Sequence, residues 1–202
     1  MSVEITAAMV KALRDQTGAG MMECKAALKE ANGDQAEALT ILRKRGLAQA
    51  AKKVGRSTSE GVISSYIHMG GKIGVLVEVN CESDFVARTD DFTNLGKEVA
   101  MHIAASNPRW VRRDEVPADE VEKEKSIYRG QMEKENKPAN VMEKIIEGKL
   151  GSFYSQFVLL DQPFIRDDKV TIGQLVAQAS AKTGENIQVS RFVRFRVGET
   201  NE

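Results

Sequence analysis

The chain is poor in the residues that staple, ligate and span. It has only two cysteines, Cys24 and Cys81, far apart and without a second thiol or a histidine at metal-ligand spacing. That excludes a disulfide framework and a zinc ribbon, and two free thiols point to a reducing compartment. Long hydrophobic runs are missing too. The uncharged apolar stretch near Phe153 to Leu160, like every other in the chain, is far short of the ~20 residues that a membrane helix needs. Met1 to Asp15 carries Glu4 and alternates polar with apolar residues, unlike the apolar block and small-residue cleavage site of a secretory signal. We therefore expect a cytoplasmic protein that does not engage a membrane. Net charge is also absent, with 29 Lys+Arg against 29 Asp+Glu, and aromatic residues make up 5% of the chain. Without basic stripes interleaved with aromatics, direct nucleic-acid binding is not expected. No nucleophile elbow, His-Glu-x-x-His or paired-cysteine pattern occurs, so neither an enzyme nor a bound metal or cofactor is expected.

What the chain does have is 42% hydrophobic residues in 202 positions, enough for packed cores, which excludes disorder and collagen. The length suits one large domain or two small ones, and we expect at least two. Residues 1 to 56 carry a net charge of +4 and residues 57 to 202 a net charge of −4. Arg43-Lys44-Arg45 ends a helical pattern just before Gly46, where cations complement the helix dipole, and Lys52 to Arg56 reads as a solvated linker.

Thr6 precedes Met9, Val10 and Leu13 at helical spacing, and Thr17-Gly18-Ala19-Gly20 breaks the pattern. Met21 to Ala31 predicts a second helix that stops at Asn32-Gly33. Asp34 and Glu37 make a capping-box-like start for a third through Leu39 and Leu42. These short helices make a small bundle over residues 1–55, linker included. Residues 56–202 read as an α+β core. Val62 to His68 and Ile73 to Val79 alternate about Gly70-Gly71, a β-hairpin. Ile187, Val189, Val193, Phe195 and Val197 share one face of another alternating run, which supplies a third antiparallel strand. Thr89 can cap a helix whose stripe is Phe92, Leu95, Val99 and Ile103. Two charged amphipathic helices over about 119–157, broken at Asn136-Lys137-Pro138, form a helical hairpin. Asp161 to Phe164 reads as a loop, and Thr171 starts a helix ending near Gly184.

Few residues suggest chemistry. Gly71-Lys72 is a turn rather than a phosphate loop, since Tyr66 and Ile73 occupy the positions of the first glycine and the hydroxyl. Asp90-Asp91 and Asp167-Asp168 read as helix-start or loop charges. His102 lies beside the Ile103 stripe and reads as a helix-surface or satisfied core histidine. Met21 to Lys25 reads as bundle core and turn, with Lys25 solvated. Asn80 to Arg88 leaves a strand and enters a helix carrying Asp84-Phe85. There Phe85 is either a core ring or, displayed on a rigid loop, an anchor for a partner.

Several segments together resemble the bacterial translation elongation factor Ts family in its short form. Leu13-Arg14-Asp15-Gln16-Thr17-Gly18-Ala19-Gly20-Met21-Met22-Glu23-Cys24-Lys25 resembles its ubiquitin-associated-like N-terminal domain. Glu78 to Val86 resembles its signature loop, with Ser83 where that loop usually has Thr. Ile73 to Val77, His102 to Ser106, Gly151 to Tyr154, Gln162 to Phe164 and Arg194 to Gly198 match in order. The resemblance implies a guanine nucleotide exchange factor for elongation factor Tu, engaging both its GDP-bound and nucleotide-free forms. It implies partner contacts by Ser83, Asp84, Phe85 and Val86 near the partner's Mg²⁺ site, with Phe85 as wedge and Asp84 as polar partner. Further implied contacts are His102 near the phosphate-binding loop, Ile73 and Gly74 with the third domain, and Lys25 from the N-terminal domain. Because the core occurs once rather than duplicated, it also implies a homodimer. A ubiquitin-associated-like interaction module on an unrelated scaffold is the rival reading, told apart by whether the Phe85 loop matters for binding.

Overall fold

A computed structural model describes residues 3–132 and 138–199. Its helices are α1 (Ala7–Thr17), α2 (Met21–Glu30), α3 (Gln35–Ala51), α4 (Asp84–Ala87), α5 (Asp90–Ser106), α6 (Ala118–Met132), α7 (Ala139–Phe157) and α8 (Ile172–Thr183). Its strands are β1 (Glu60–Ile67), β2 (Ile73–Cys81), β3 (Pro163–Phe164), β4 (Asp167–Thr171) and β5 (Gln188–Arg196). The strand order is β1-β2-β5 in an antiparallel three-stranded sheet, and β3 pairs with β4. The class is therefore α+β. Among the described residues no helix is long and apolar enough to cross a membrane.

By contacts the chain forms two compact units. The first takes the described residues of Met1–Val62, Val79–Leu95 and Gln174–Gln188, and the second those of Ile63–Glu78, Gly96–Gly173 and Val189–Glu202.

In the first unit the helix boundaries follow from capping. The Thr6 hydroxyl accepts from Met9 N–H at 3.3 Å and the Asp34 carboxylate from Glu37 N–H at 2.8 Å, satisfying amide donors that the first turn leaves open. Gly18 closes α1 in the left-handed region at φ 67°, where a side chain would be strained. The apolar stripes of α1, α2 and α3 meet in a core of Val10, Leu13, Cys24, Ala27, Leu28, Ala31, Ala38 and Leu42. Burying each Val or Leu is worth about 1.5–3 kcal/mol, the main reason so small a cluster holds.

α3 does not stop before Gly46 but runs through it to Ala51, and only then turns. A mid-helix glycine costs about 1 kcal/mol against alanine, yet a Cβ at Gly46 would lie 3.2 Å from the Ala181 methyl of α8. The missing side chain lets the helices close up, and Leu47 to Ala51 are competent helix formers. Lys53 then donates to the Ser180 carbonyl at 2.9 Å, so the segment after α3 is anchored rather than wholly solvated.

In the second unit α6 and α7 pack against each other, around Met132, Ile146 and Leu150 with Val121, Tyr128 and Ile145 against them. Trp110, Phe153 and Phe157 pack beside Val116 and Val158. Of the expected break at Asn136-Lys137-Pro138, the first two residues lie outside the described residues, and Pro138 is the cap of α7. The Tyr128 hydroxyl is pushed up to about 12 by burial and by the Glu124 carboxylate. The Asp161 to Phe164 loop contains more order than expected. Pro163 and Phe164 pair with Thr171 and Asp167; a two-residue strand opening on proline carries no periodic signal.

Candidate partner-binding site

The β2 strand ends with Cys81 buried, and the chain then turns through Glu82 and Ser83 into the four-residue α4. Ser83 caps this helix, its hydroxyl accepting from Val86 N–H at 3.4 Å. The Cys81 thiol donates to the Ser83 carbonyl at 3.1 Å; burial, and after it the Glu185 carboxylate, pushes this thiol up from its ordinary range, so it stays protonated and unreactive. Ala87 faces inward, Val86 is half-buried, and Phe85 is 80% exposed. Asp84, in the first turn where the helix dipole favours an acid, pairs with Arg88 at 2.9 Å. The loop thus presents an aromatic ring and a carboxylate outward on a capped backbone. Of the two readings the sequence left open for Phe85, the core one is excluded in this structure.

The carboxylate of Glu185 accepts from the backbone N–H groups of Glu82 and Ser83, each at 3.0 Å, and from the Ser83 hydroxyl at 2.5 Å. Glu82 answers by accepting from Asn186 N–H at 2.6 Å and from the Arg56 guanidinium at 3.4 Å. Sequence reasoning missed Glu185 entirely, because its partners lie about a hundred positions earlier; the one local signal is the glycine before it, which ends α8.

Lys25 is exposed on α2 in the same unit as the loop. Met21 and Met22, four and three residues before it on the same helix face, are exposed as well, not bundle core as expected, while Cys24 is buried. α2 therefore turns two flexible thioethers and an ammonium outward.

Ile73, Gly74 and His102 belong to the second unit. Ile73 and Gly74 open β2 half-buried, and a Cβ at Gly74 would sit 3.0 Å from the Ile67 side chain. His102 is fully buried. Its Nε2 lies 2.9 Å from Gln162 Oε1, while Gln162 Nε2 donates to the carbonyls of Gln156 at 2.7 Å and Ser106 at 3.5 Å. Those two carbonyls orient the amide, so the oxygen faces the ring and Nε2 must be the protonated nitrogen. Nδ1 has no hydrogen-bond partner among the described residues. Burial, opposed by the Gln162 bond, lowers the imidazole's affinity for a second proton. The ring is thus in the core, as one alternative read from composition had it, but only half satisfied, since Nδ1 is left without a partner among the described residues.

Of the acidic pairs, Asp90 and Asp91 do start α5, with Asp91 reaching Lys182 of α8 at 2.7 Å, whereas Asp167 and Asp168 lie in β4 and not in a loop, Asp167 accepting from Lys169 N–H at 3.2 Å. Among the described residues no three His, Cys, Asp or Glu side chains gather as a metal-holding group.

Residues 3–199 match the family model described as Elongation factor TS. The chain is 66% identical to the Elongation factor Ts of Fervidobacterium nodosum over 197 residues, 98% of this chain and 100% of the relative. It is 62% identical to that of Anaeromyxobacter sp. strain Fw109-5 over 97% of this chain and 90% of the relative. With that of Thermosipho melanesiensis it shares 58% over 96% of this chain and 100% of the relative.

Proposed function

Because the chain belongs to the elongation factor Ts family, and so is a translation elongation factor, we propose that it is a guanine nucleotide exchange factor for elongation factor Tu. In this reading it binds the partner with GDP, disturbs the Mg²⁺ and phosphate site, and promotes GDP release so that GTP can bind. Mg²⁺ and its ligands hold the switch elements of a GTPase in place. A factor that favours the state with those contacts weakened must itself be weakened by nucleotide, since coupling is reciprocal. It performs no covalent chemistry of its own.

The observation that carries the reading is the exposed Phe85 on a capped four-residue helix with Asp84 beside it. A ring held away from its own core offers apolar area for insertion into a partner, and the neighbouring carboxylate supplies the charge that competes for polar ligands. Ser83 and Val86 shape the same helix. Residues 1–55, as a ubiquitin-associated-like helical domain, contribute Lys25 as a second contact, and the exposed Met21 and Met22 beside it support that role. Ile73 and Gly74 are further contacts from the 56–202 core. The His102 contact stays within the proposal; its ring is buried, so reaching a partner requires the Gln162 network to open.

We also assign a homodimer to this reading. Ile63, Ile67, Leu76, Val193, Phe195 and Val197 are exposed on alternating positions of the sheet. Gly74 lies against Ile67, and Arg191 bonds Glu78 at 2.7 Å, which places these positions on one face. Such an apolar face on an antiparallel sheet is suited to covering by a second copy.

Stopped-flow release of a fluorescent GDP analogue from elongation factor Tu tests the exchange activity. Acceleration by the native chain, lowered at least about tenfold by Phe85→Ala without loss of the fold, is the expected result. Absence of acceleration over a wide concentration range would reject the exchange role and favour an interaction module working through Met21, Met22 and Lys25.

A further inference from the structure

α4 cannot orient Phe85 by itself. It has four residues, and its internal bonds, Ala87 N–H to Ser83 O at 3.2 Å and Arg88 N–H to Asp84 O at 3.3 Å, are too few for an isolated turn to persist. Nor does the ring help, since an exposed side chain makes no packing that would fix it. The orientation has to be imposed from outside the helix.

Glu185 is placed to impose it. One carboxylate oxygen takes the N–H groups of Glu82 and Ser83, and the other takes the Ser83 hydroxyl. Charged acceptors make the stronger hydrogen bonds, and here three donors converge on one carboxylate. Because the hydroxyl hydrogen goes to Glu185, the oxygen's lone pairs are left for Val86 N–H, which makes Ser83 a competent cap. Glu82 grips Asn186 N–H in return, and the Asn186 amide donates to the Arg56 carbonyl at 3.0 Å. The start of α4 is thus held at two successive amides and one side chain by a residue from the far end of the chain.

We propose that Glu185 is a positioning residue for exchange: it does not touch the GTPase, but locks Ser83 so that α4 presents Phe85 in the inserting orientation. The proposal rests on the reading of Phe85 given above. It also accounts for a hydroxyl at position 83, as the link through which the carboxylate reaches the helix.

The test uses the full chain with Glu185→Ala, Glu185→Gln, Phe85→Ala and the double variant Glu185→Ala/Phe85→Ala. Each is titrated against elongation factor Tu carrying fluorescent GDP, and the Ser83 and Val86 amides are followed by hydrogen exchange. Glu185→Ala should lower the rate at saturating factor about tenfold or more. Glu185→Gln, whose amide oxygen still accepts N–H, should keep most of it. The double variant should be no slower than Phe85→Ala alone, because both changes remove one and the same action. A native rate in Glu185→Ala, or losses that multiply in the double variant, would overturn the proposal. If Glu185→Ala does not fold, Glu185→Asp, one methylene short of its donors, carries the same comparison. Should the native chain fail to release GDP at all, the exchange reading falls alone. The amides then decide the clamp: faster exchange at Ser83 and Val86 in the Glu185 variant upholds it, and unchanged exchange removes it.

Discussion

His102 illustrates how much one buried imidazole can impose. Its ring has one satisfied nitrogen and one unpartnered one, and burial disfavours the doubly protonated form. The unfolded chain takes up that proton near about pH 6.5, whereas the folded chain takes it up only at lower pH. Between those two values the unfolded state binds more protons, so stability falls as pH drops below about 6.5, by at most about 1.4 kcal/mol per pH unit. Urea denaturation at steps between pH 8 and 5.5 should show this slope in the native chain and a flatter one in His102→Gln; equal slopes would remove His102 as the cause. Its place beside the Ile103 stripe was readable from periodicity. The Gln162 partner was not, since it lies 60 positions away.

Among the elements, the hairpin and its neighbours show where glycine is required. Gly61 in β1 has φ 152°, and a Cβ there would lie 2.2 Å from the Val79 carbonyl oxygen. No side chain rotation relieves a clash with backbone. Gly61→Ala should therefore destabilise the protein by at least about 2 kcal/mol, visible as a lowered denaturant midpoint with unchanged slope. A shift of under ~0.5 kcal/mol would mean that the strands re-register. The caps at Asp34 and Thr89 were legible, and Thr89 indeed accepts from Phe92 N–H at 3.3 Å. The end of α3 was not. A glycine after three cations reads locally as a stop, and only the Ala181 methyl opposite shows it to be a packing residue.

At the scale of the molecule, the compact units are each assembled from three separated stretches of chain, which no local pattern announces. The run ending β5 is instructive: Ile187 and Val189 are buried, while Phe195 is 54% and Val197 73% exposed, although alternation assigns them to one face. The alternation reported a face, not what covers it. If a second copy covers its exposed part, as proposed, Phe195→Glu places a charge where desolvation is costly and should convert a dimer to a monomer in sedimentation at micromolar concentration. A native chain already monomeric there would remove the dimer from the functional reading.

The sequence by itself determined most of the long helices and the strands of the larger sheet, the caps at Asp34 and Thr89, and the family, because these reside in side-chain periodicity, turn chemistry and contiguous motifs. Tertiary structure alone decided that Phe85 points outward, that His102 is sealed within, that α3 passes through Gly46, and that Glu185 holds the loop before α4. The last three each depend on a group brought back from elsewhere in the chain. Residues close in sequence can specify a local conformation, but burial and hydrogen-bond satisfaction are properties of what the folded chain returns to the same place.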